Sequence, residues 1–324
     1  MGEKGGIVMP EVEVPAEKWT GKVHEVTLGG SNGRKSVVVG GETALPFLHF
    51  EGAMPNKPLI AIEVQDRNPT DWSPHLISAW GDVLADTGAW AKKAVEYGAD
   101  IIALRLRSAH PEEADTGADE ARKSTDKVLS AVDIPVIILG PGVAEKDNKV
   151  LVAASEVAKG QRIALGNCEE KNHRTIAASC IADGHVAIAK TPIEINLAKQ
   201  LNILLCDVGL SPDSILMDPT TGALGYGIEY CYSVMERLRL AALGGDKMAA
   251  MPMFCTAGEE SWRQKESKVT EGVPPSWGDH LERSLSWEGI TAVMLLNAGA
   301  NIVVLRHPAT VTLVKATIDK LMAT

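Results

Sequence analysis

One unit recurs along this chain, and it comes eight times: a short apolar run, a polar loop, then a stretch whose apolar positions repeat with helical spacing. The apolar runs fall at 59–63, 101–106, 135–139, 162–165, 186–189, 215–217, 250–255 and 302–305. The helical stretches cover 87–98, 116–131, 146–158, 172–183, 192–206, 228–243, 286–298 and 308–322. Several short runs hold no polar residue, as a strand covered on both faces requires. Asp133-Ile134-Pro135 and Gly98-Ala99-Asp100 are compact helix-to-strand turns. Pro192 and Pro308 stand near the first turn of their helices, where a missing N–H costs least. Eight strands, each followed by a helix, predict a (β/α)8 TIM barrel. The competing open, doubly wound sheet would carry a Gly-x-Gly-x-x-Gly turn after its first strand, and none is present.

Residues 1–50 differ and are expected to form an extension in front of a single barrel domain over 51–324. Within the extension, apolar runs at 23–28 and 36–39 flank Gly29-Gly30-Ser31-Asn32-Gly33, and the Asn32-Gly33 pair signals a β-hairpin. The following Arg34-Lys35-Ser36 gives this tip a superficial likeness to a phosphate loop. The spacing is wrong, and a strand rather than a helix follows. Two loops of the barrel are long. The stretch 64–87 carries Trp72 and Trp80, and 256–285 carries Trp262 and Trp277. Tryptophans there suggest a planar ligand, a partner surface or plain loop packing.

Composition removes several function classes. A formal charge of −10 disfavours a nucleic-acid or anionic-membrane surface, because little would supply the counterion-release contribution. The five cysteines are scattered with no Cys-x-x-Cys pair, so neither a zinc knuckle nor an iron–sulfur ligand set is expected on this chain. Their odd number in a long chain suggests reduced thiols in a cytoplasmic protein. The first fifteen residues lack the apolar core of a secretory leader, and no apolar run is long enough for a membrane span.

The stretch Ile215-Leu-Met-Asp-Pro-Thr-Thr-Gly-Ala-Leu-Gly-Tyr-Gly-Ile-Glu-Tyr230 is the richest in chemical information. Asp218 stands where a buried strand stops, and Pro219 cannot donate to the sheet ladder. Gly222, Gly225 and Gly227 then let backbone approach something closely. The bland alternative is an ordinary tight loop with Asp218 capping the next helix. In a barrel, the residues just past each strand share one mouth. Here those are Glu63, Gln65 and Asp66; Arg105 and Arg107; Gly140-Pro141-Gly142; Asn167 and Cys168; Lys190 and Thr191; Asp218, Thr220 and Thr221; Cys255 and Thr256; and Arg306 and His307.

Familiar chemistries fit that set poorly. The eight histidines include no His-Glu-x-x-His, and no Gly-x-Ser-x-Gly elbow occurs. Lys190 could serve as a Schiff-base nucleophile, or pair with Glu194 or Asp218. Asp183-Gly-His185 looks like the start of a cobalt-ligating Asp-x-His-x-x-Gly motif, but residue 188 is isoleucine and the segment falls at the opposite end of the barrel. What remains suits recognition of a heteroaromatic or macrocyclic ligand by neutral hydrogen bonds and bare backbone.

The chain resembles the small subunit of the corrinoid iron–sulfur protein of the reductive acetyl-CoA pathway, the delta subunit of archaeal complexes. The resemblance rests on Leu59-Ile-Ala-Ile-Glu-Val-Gln-Asp66, Pro135-Val-Ile-Ile-Leu-Gly140, Met217 to Tyr230, and Trp287-Glu-Gly-Ile-Thr-Ala292. It implies a barrel related to pterin-binding methyltransferases, in a heterodimer with a larger subunit that holds the 4Fe-4S cluster and the main corrinoid-binding domain. The pair would carry a methyl group on cobalt from a methyltetrahydropterin-dependent methyltransferase to acetyl-CoA synthase. The barrel would cap the corrinoid (cobalamin) at the subunit interface without being catalytic. On that reading Asn167, Asp218, Thr220, Leu224, Gly225, Tyr226 and Thr256 are expected near the corrinoid or the interface, with Trp72 and Trp262 toward the partner. The alternative is an autonomous pterin-binding barrel methyltransferase in which Asn167 and Asp218 hold the pterin ring. A Schiff-base lyase acting through Lys190 is a third possibility.

Overall fold

The apolar runs become strands where they are buried and fit a pleated ladder, as at Leu59–Gln65, Ile101–Arg105, Val136–Leu139 and Ala300–Leu305. The computed structural model describes residues 14–31 and 33–323. Asn32, half of the hairpin signal, and residues 1–13, most of the stretch examined for a leader, lie outside the described residues.

The barrel strands are β3 (Leu59–Gln65), β4 (Ile101–Arg105), β5 (Val136–Leu139), β6 (Ala164–Cys168), β7 (Val186–Lys190), β8 (Ile215–Asp218), β9 (Met253–Cys255) and β10 (Ala300–Leu305). They close in the order β10-β3-β4-β5-β6-β7-β8-β9, all parallel. The helices are α1 (Pro74–Trp80), α2 (Thr87–Glu96), α3 (Ala118–Ala131), α4 (Ala144–Val157), α5 (His173–Asp183), α6 (Ile195–Val208), α7 (Ile228–Leu243), α8 (Ala257–Arg263), α9 (Lys265–Lys268), α10 (His280–Asn297) and α11 (Pro308–Met322). This is a TIM barrel, as the eightfold recurrence predicts. No helix among the described residues is long and apolar enough to cross a membrane.

Two apolar cores result from strand parity. Ile60, Ile62 and Val64 face the helices, whereas Leu59 and Ala61 face the barrel interior with Ile101, Ala103, Ile137, Leu139, Val186, Ile188, Leu216 and Phe254. The amino-terminal hairpin, β1 (Val26–Gly29) and β2 (Ser36–Val39), adds Val26, Leu28 and Val39 to that interior core. It therefore plugs the end of the barrel opposite the strand C-termini. Arg34 anchors it by donating to the carbonyls of Leu129, Val132 and Ile134, so its guanidinium is spent on structure rather than on a phosphate. Arg239, buried, ties Glu42 (3.1 Å) and the Gly299 carbonyl (2.6 Å) together at the same end.

Several boundaries differ from expectation. Strand β6 begins at Ala164 rather than 162, because Arg162 takes a positive φ of 47° while its side chain reaches the Thr27 carbonyl. Helix α6 begins at Ile195, capped by the Glu194 carboxylate, which leaves Pro192 outside it. The two long loops are largely helical, forming α1, α8 and α9, and α10 starts at His280 rather than 286.

That folding corrects the expectation for the tryptophans. Trp72 and Trp262 are buried and offer nothing to a partner. Trp72 meets Trp90 edge-on at 5.3 Å and lies under the Arg306 guanidinium at 4.9 Å, and Trp262 stacks on His307 at 6.0 Å.

Candidate functional site at the barrel mouth

The parity that sends Leu59 and Ala61 inward sends Glu63 and Gln65 inward too, two and four residues further on. The same rows run from Ile101 and Ala103 to Arg105, from Val186 and Ile188 to Lys190, and from Leu216 to Asp218. The row Ile302, Val304 ends on Arg306 just beyond its strand. Each inward row is thus apolar at the plugged end and charged or polar at the mouth.

On one side these charges pair. Arg306 donates to both Glu63 oxygens at 2.8 and 3.1 Å. Arg105 donates to Glu259 at 2.6 Å and has its Nε 3.8 Å from Glu63. Glu259 comes from α8, so this pair reaches from β4 across to the element after β9. Burial opposes the Glu259 charge, yet Arg105, Arg306 and Lys190 hold its carboxyl down at about 2. Behind them Glu288 accepts the Arg306 and His307 backbone N–H groups, and Trp80 donates to the Arg306 carbonyl at 2.9 Å.

On the other side charges stand apart. Asp147, from the first turn of α4, has one oxygen bonded to the Gly142 N–H at 3.2 Å and the other without a partner. Its carboxyl is pushed up to about 7, chiefly by burial and further by Glu169, against the pull of that N–H and of Lys190. The bare backbone of Gly140 makes room for this side chain, since a Cβ there would meet the Asp147 carboxylate and displace it. Asp218 is buried and likewise raised by burial, with Lys190 opposing. Lys190 sits beside Asp218 in register but forms no ion pair among the described residues, and Glu194 is occupied as a helix cap. The buried Thr191 hydroxyl has no partner, and the Asn167 side-chain amide makes no hydrogen bond among the described residues. A cleft of about 360 Å³, lined by Glu169, Lys190, Thr191, Thr220 and Leu201 among others, opens beside these groups.

Asp218 does not cap α7. It accepts the Thr220 N–H at 2.9 Å and so folds the loop that leads away from β8. Thr220 donates its hydroxyl to the Thr191 carbonyl at 2.5 Å, joining β7 and β8 at the mouth. Thr220 and Ala223 adopt positive φ angles of 62° and 58°, unusual for residues with a Cβ and typical of functional loops. Leu224 is buried beneath the loop, while Gly225 and Tyr226 are exposed, Tyr226 at 83%. Thr256 is half-buried at the start of α8 and gives it no side-chain cap. The structure thus joins Asn167, Asp218 and Thr220 in the unpaired half, with Gly225 and Tyr226 on the loop above. Asp147 and Glu259 were missed by strand-end reasoning because both sit on helices one loop further on.

The chain matches the family model described as CO dehydrogenase/acetyl-CoA synthase delta subunit over residues 25–317. It belongs to that family. The delta subunit 1 of the Methanosarcina thermophila acetyl-CoA decarbonylase/synthase complex is 38% identical over 311 residues, covering 92% of this chain and 70% of the relative. The Archaeoglobus fulgidus delta subunit is also 38% identical, over 97% of this chain and 72% of its own length. The fold of this delta-family chain is shared with dihydropteroate synthases. The Xanthomonas albilineans enzyme superimposes with a TM-score of 0.57 at 12% identity, covering 86% of this chain and 98% of the enzyme. The Coxiella burnetii enzyme in complex with pteroic acid gives 0.54 at 15% identity, over 92% and 98%. Among the described residues of the delta-family chain, no three His, Cys, Asp or Glu side chains gather closely enough to hold a metal ion.

Proposed function

We propose that this chain is the covering subunit of a corrinoid methyl carrier. Its barrel mouth would close over the corrinoid held by a larger, 4Fe-4S-containing subunit, within a complex that contains acetyl-CoA synthase and draws methyl groups from a methyltetrahydropterin methyltransferase. The supporting observation is the unpaired half of the mouth. There, among the described residues, Asp147 and Asp218 have no ion pair, the Thr191 hydroxyl and the Asn167 amide have no hydrogen bond, and the loop above carries an exposed aromatic and a bare glycine. A corrinoid is a flat macrocycle edged with amides, and amides supply the donors and acceptors those groups lack. Asn167, Thr191 and Asp218 would bond the edge, and Gly225 and Tyr226 would lie against the face. When bound, the corrinoid supplies a cobalt centre that accepts and releases the methyl group. This chain's residues exclude water from that centre and orient the macrocycle. The thiols suit a covering role, since burial keeps Cys168 and Cys255 protonated and pushes Cys231 up to about 11. The relatives named as subunits of a multi-subunit complex support the partner assignment.

A second reading has its own support. Asp218, raised by burial, and the Asn167 amide, without a hydrogen bond among the described residues, stand at the ends of β8 and β6 at the same mouth and could hold the ring of a pterin, as an autonomous methyltransferase would require. The discriminating experiment is co-expression with the large corrinoid subunit, followed by cobalt assay and visible spectroscopy. We expect a one-to-one heterodimer carrying cobalt, with Tyr226→Ala losing corrinoid at least severalfold while the isolated barrel keeps its melting temperature. Methyltetrahydrofolate binding by the lone chain, with methyl transfer to free cobalamin, would replace this reading with the second.

A further inference from the structure

A groove of about 440 Å³ runs between the start of α7 and the body of α10, lined by Ile228, Trp277, Ser286, Trp287, Ile290 and Met294 among others. Around it the fold leaves large apolar side chains in solvent: Tyr230 is 66% and Ile290 70% exposed. Tyr226, 83% exposed, stands on the loop that leads from the mouth to the start of α7. The loop touches the groove at Gly225, where a Cβ would stand 3.5 Å from the ring of the groove-lining Trp287. Loop and groove meet at Trp287. Other apolar side chains are exposed elsewhere, Phe50, Ile181 and Leu313 among them, but here Ile290 and Tyr230 stand at a formed groove, and apolar area gathered at a groove marks an interaction site.

The electrostatics of the rim restrict what fits. Asp279 and Glu282 line the groove as carboxylates. Arg283, the basic lining residue among the described residues, already has its donors engaged. Its guanidinium donates to the carbonyls of Glu266 (2.6 Å), Val269 (2.7 Å), Trp277 and Gly278 (both 3.3 Å), and it lies 5.3 Å from the Trp277 ring. An occupant therefore meets an apolar floor with a net negative edge. A trough between two helices takes a third helix laid apolar face down, anchored at i, i+3, i+4 and i+7.

We infer that this groove receives an amphipathic helix of the large partner subunit, with its apolar stripe against Trp287 and Ile290 and a Lys- or Arg-bearing flank facing Asp279 and Glu282. The inference rests on the reading of the chain as a covering subunit, and it says where the two subunits hold each other. A subunit pressing its corrinoid against Tyr226 must pass over one end of the groove. Fixing it there keeps the mouth itself free of permanent contacts, so methyl donor and acceptor can both gain access to the same corrinoid face.

The test uses the full chain co-expressed with the full large subunit, as wild type, Ile290→Glu, Glu282→Arg and Ile181→Glu. Ile181 is 48% exposed on α5, two helices round the barrel from α7 and outside the groove, and serves as the control. Association is read as a Kd by sedimentation at two salt concentrations, with cobalt content measured in parallel. The expected result is at least tenfold weaker association for Ile290→Glu, several-fold weaker and less salt-sensitive association for Glu282→Arg, and no change for Ile181→Glu. Wild-type affinity in Ile290→Glu, in a heterodimer that still carries cobalt, overturns the groove inference and leaves the covering-subunit reading intact. Tighter association of Glu282→Arg overturns the basic flank. A wild-type homodimer that Ile290→Glu dissociates makes the occupant a second copy and overturns the inference. Failure of the wild-type chain to join the large subunit under any condition overturns the covering-subunit reading itself.

Discussion

The two halves of the barrel mouth are made of the same residue types and behave differently. On the side of β10, β3 and β4, Glu63, Arg105, Arg306 and Glu259 form a closed set of ion pairs. On the side of β6, β7 and β8, Asp147, Lys190 and Asp218 stand without ion pairs among the described residues. Burying a charge is tolerable when a partner restores what water gave, and costly when none does. The first half is therefore finished by the fold itself. The second half keeps unmet hydrogen-bonding capacity at the mouth, which a fold retains at a cost in stability, and such a cost is characteristic of sites completed by a ligand.

The comparison breaks most easily at Glu63. Glu63→Gln would leave both Arg105 and Arg306 short of their shared counter-charge in a buried setting. The expected loss is ~3–5 kcal/mol of unfolding free energy. Asp218→Asn keeps the acceptor for the Thr220 N–H and removes an unpaired buried charge, so it should be neutral or stabilising by up to ~1 kcal/mol. Denaturant titration of the two variants side by side decides the matter. Equal losses would mean that the halves are not different in kind.

The Asp147 carboxyl sharpens the comparison through pH. Its ordinary value lies near 3.8, and burial lifts it to about 7 in the folded chain. Below both values the group is protonated whether folded or not, and it makes no contribution. Between them the folded state holds a proton that the unfolded state has released, so stability falls as pH rises from about 4 to about 7. Above 7 the full penalty applies. Asp147→Asn should therefore match the wild type at pH 4 and exceed it by ~1–3 kcal/mol at pH 8. A variant equally stable or less stable at pH 8 would show that Asp147 has a partner in the folded chain.

Much of this architecture can be read directly from the residues, and the exceptions have physical causes. The alternation that packs Leu59 and Ala61 inside also aims Glu63 at the mouth, and it does the same for Arg105, Lys190 and Asp218. Local spacing is enough to find those. Asp147 and Glu259 escape it because they lie on helices, where membership of the mouth depends on how a loop turns back. The start of α10 has a signal in the sequence itself, since the Asp279 carboxylate caps the helix by accepting the Glu282 N–H three residues on. The tryptophans are ambiguous for another reason. Of the readings open to Trp72 and Trp262 (planar ligand, partner surface or loop packing), packing is the one the structure supports, because α1 and α8 fold over the barrel and draw them into its core. No pattern in the residues separates an aromatic that will be covered from one such as Tyr226 that will not.

The smallest effects on stability should come from the neutral groups of the unpaired half, and there the effect on binding should dominate. Thr191→Val removes a buried hydroxyl that has no partner. Asn167→Ala removes an amide whose side chain bonds nothing among the described residues. Each should change unfolding free energy by no more than ~1 kcal/mol, since no protein hydrogen bond is lost. If these groups instead meet the corrinoid edge, each truncation should lower corrinoid retention in the heterodimer several-fold to tenfold, about 1 kcal/mol. Calorimetry on the lone chain and cobalt retention after dialysis of the heterodimer measure the two effects separately. A loss of stability without a loss of cobalt would place both side chains in the fold's own hydrogen bonding. The reverse pattern is what a mouth completed by its ligand requires, because the free energy those groups lack in the isolated barrel can be regained only on assembly.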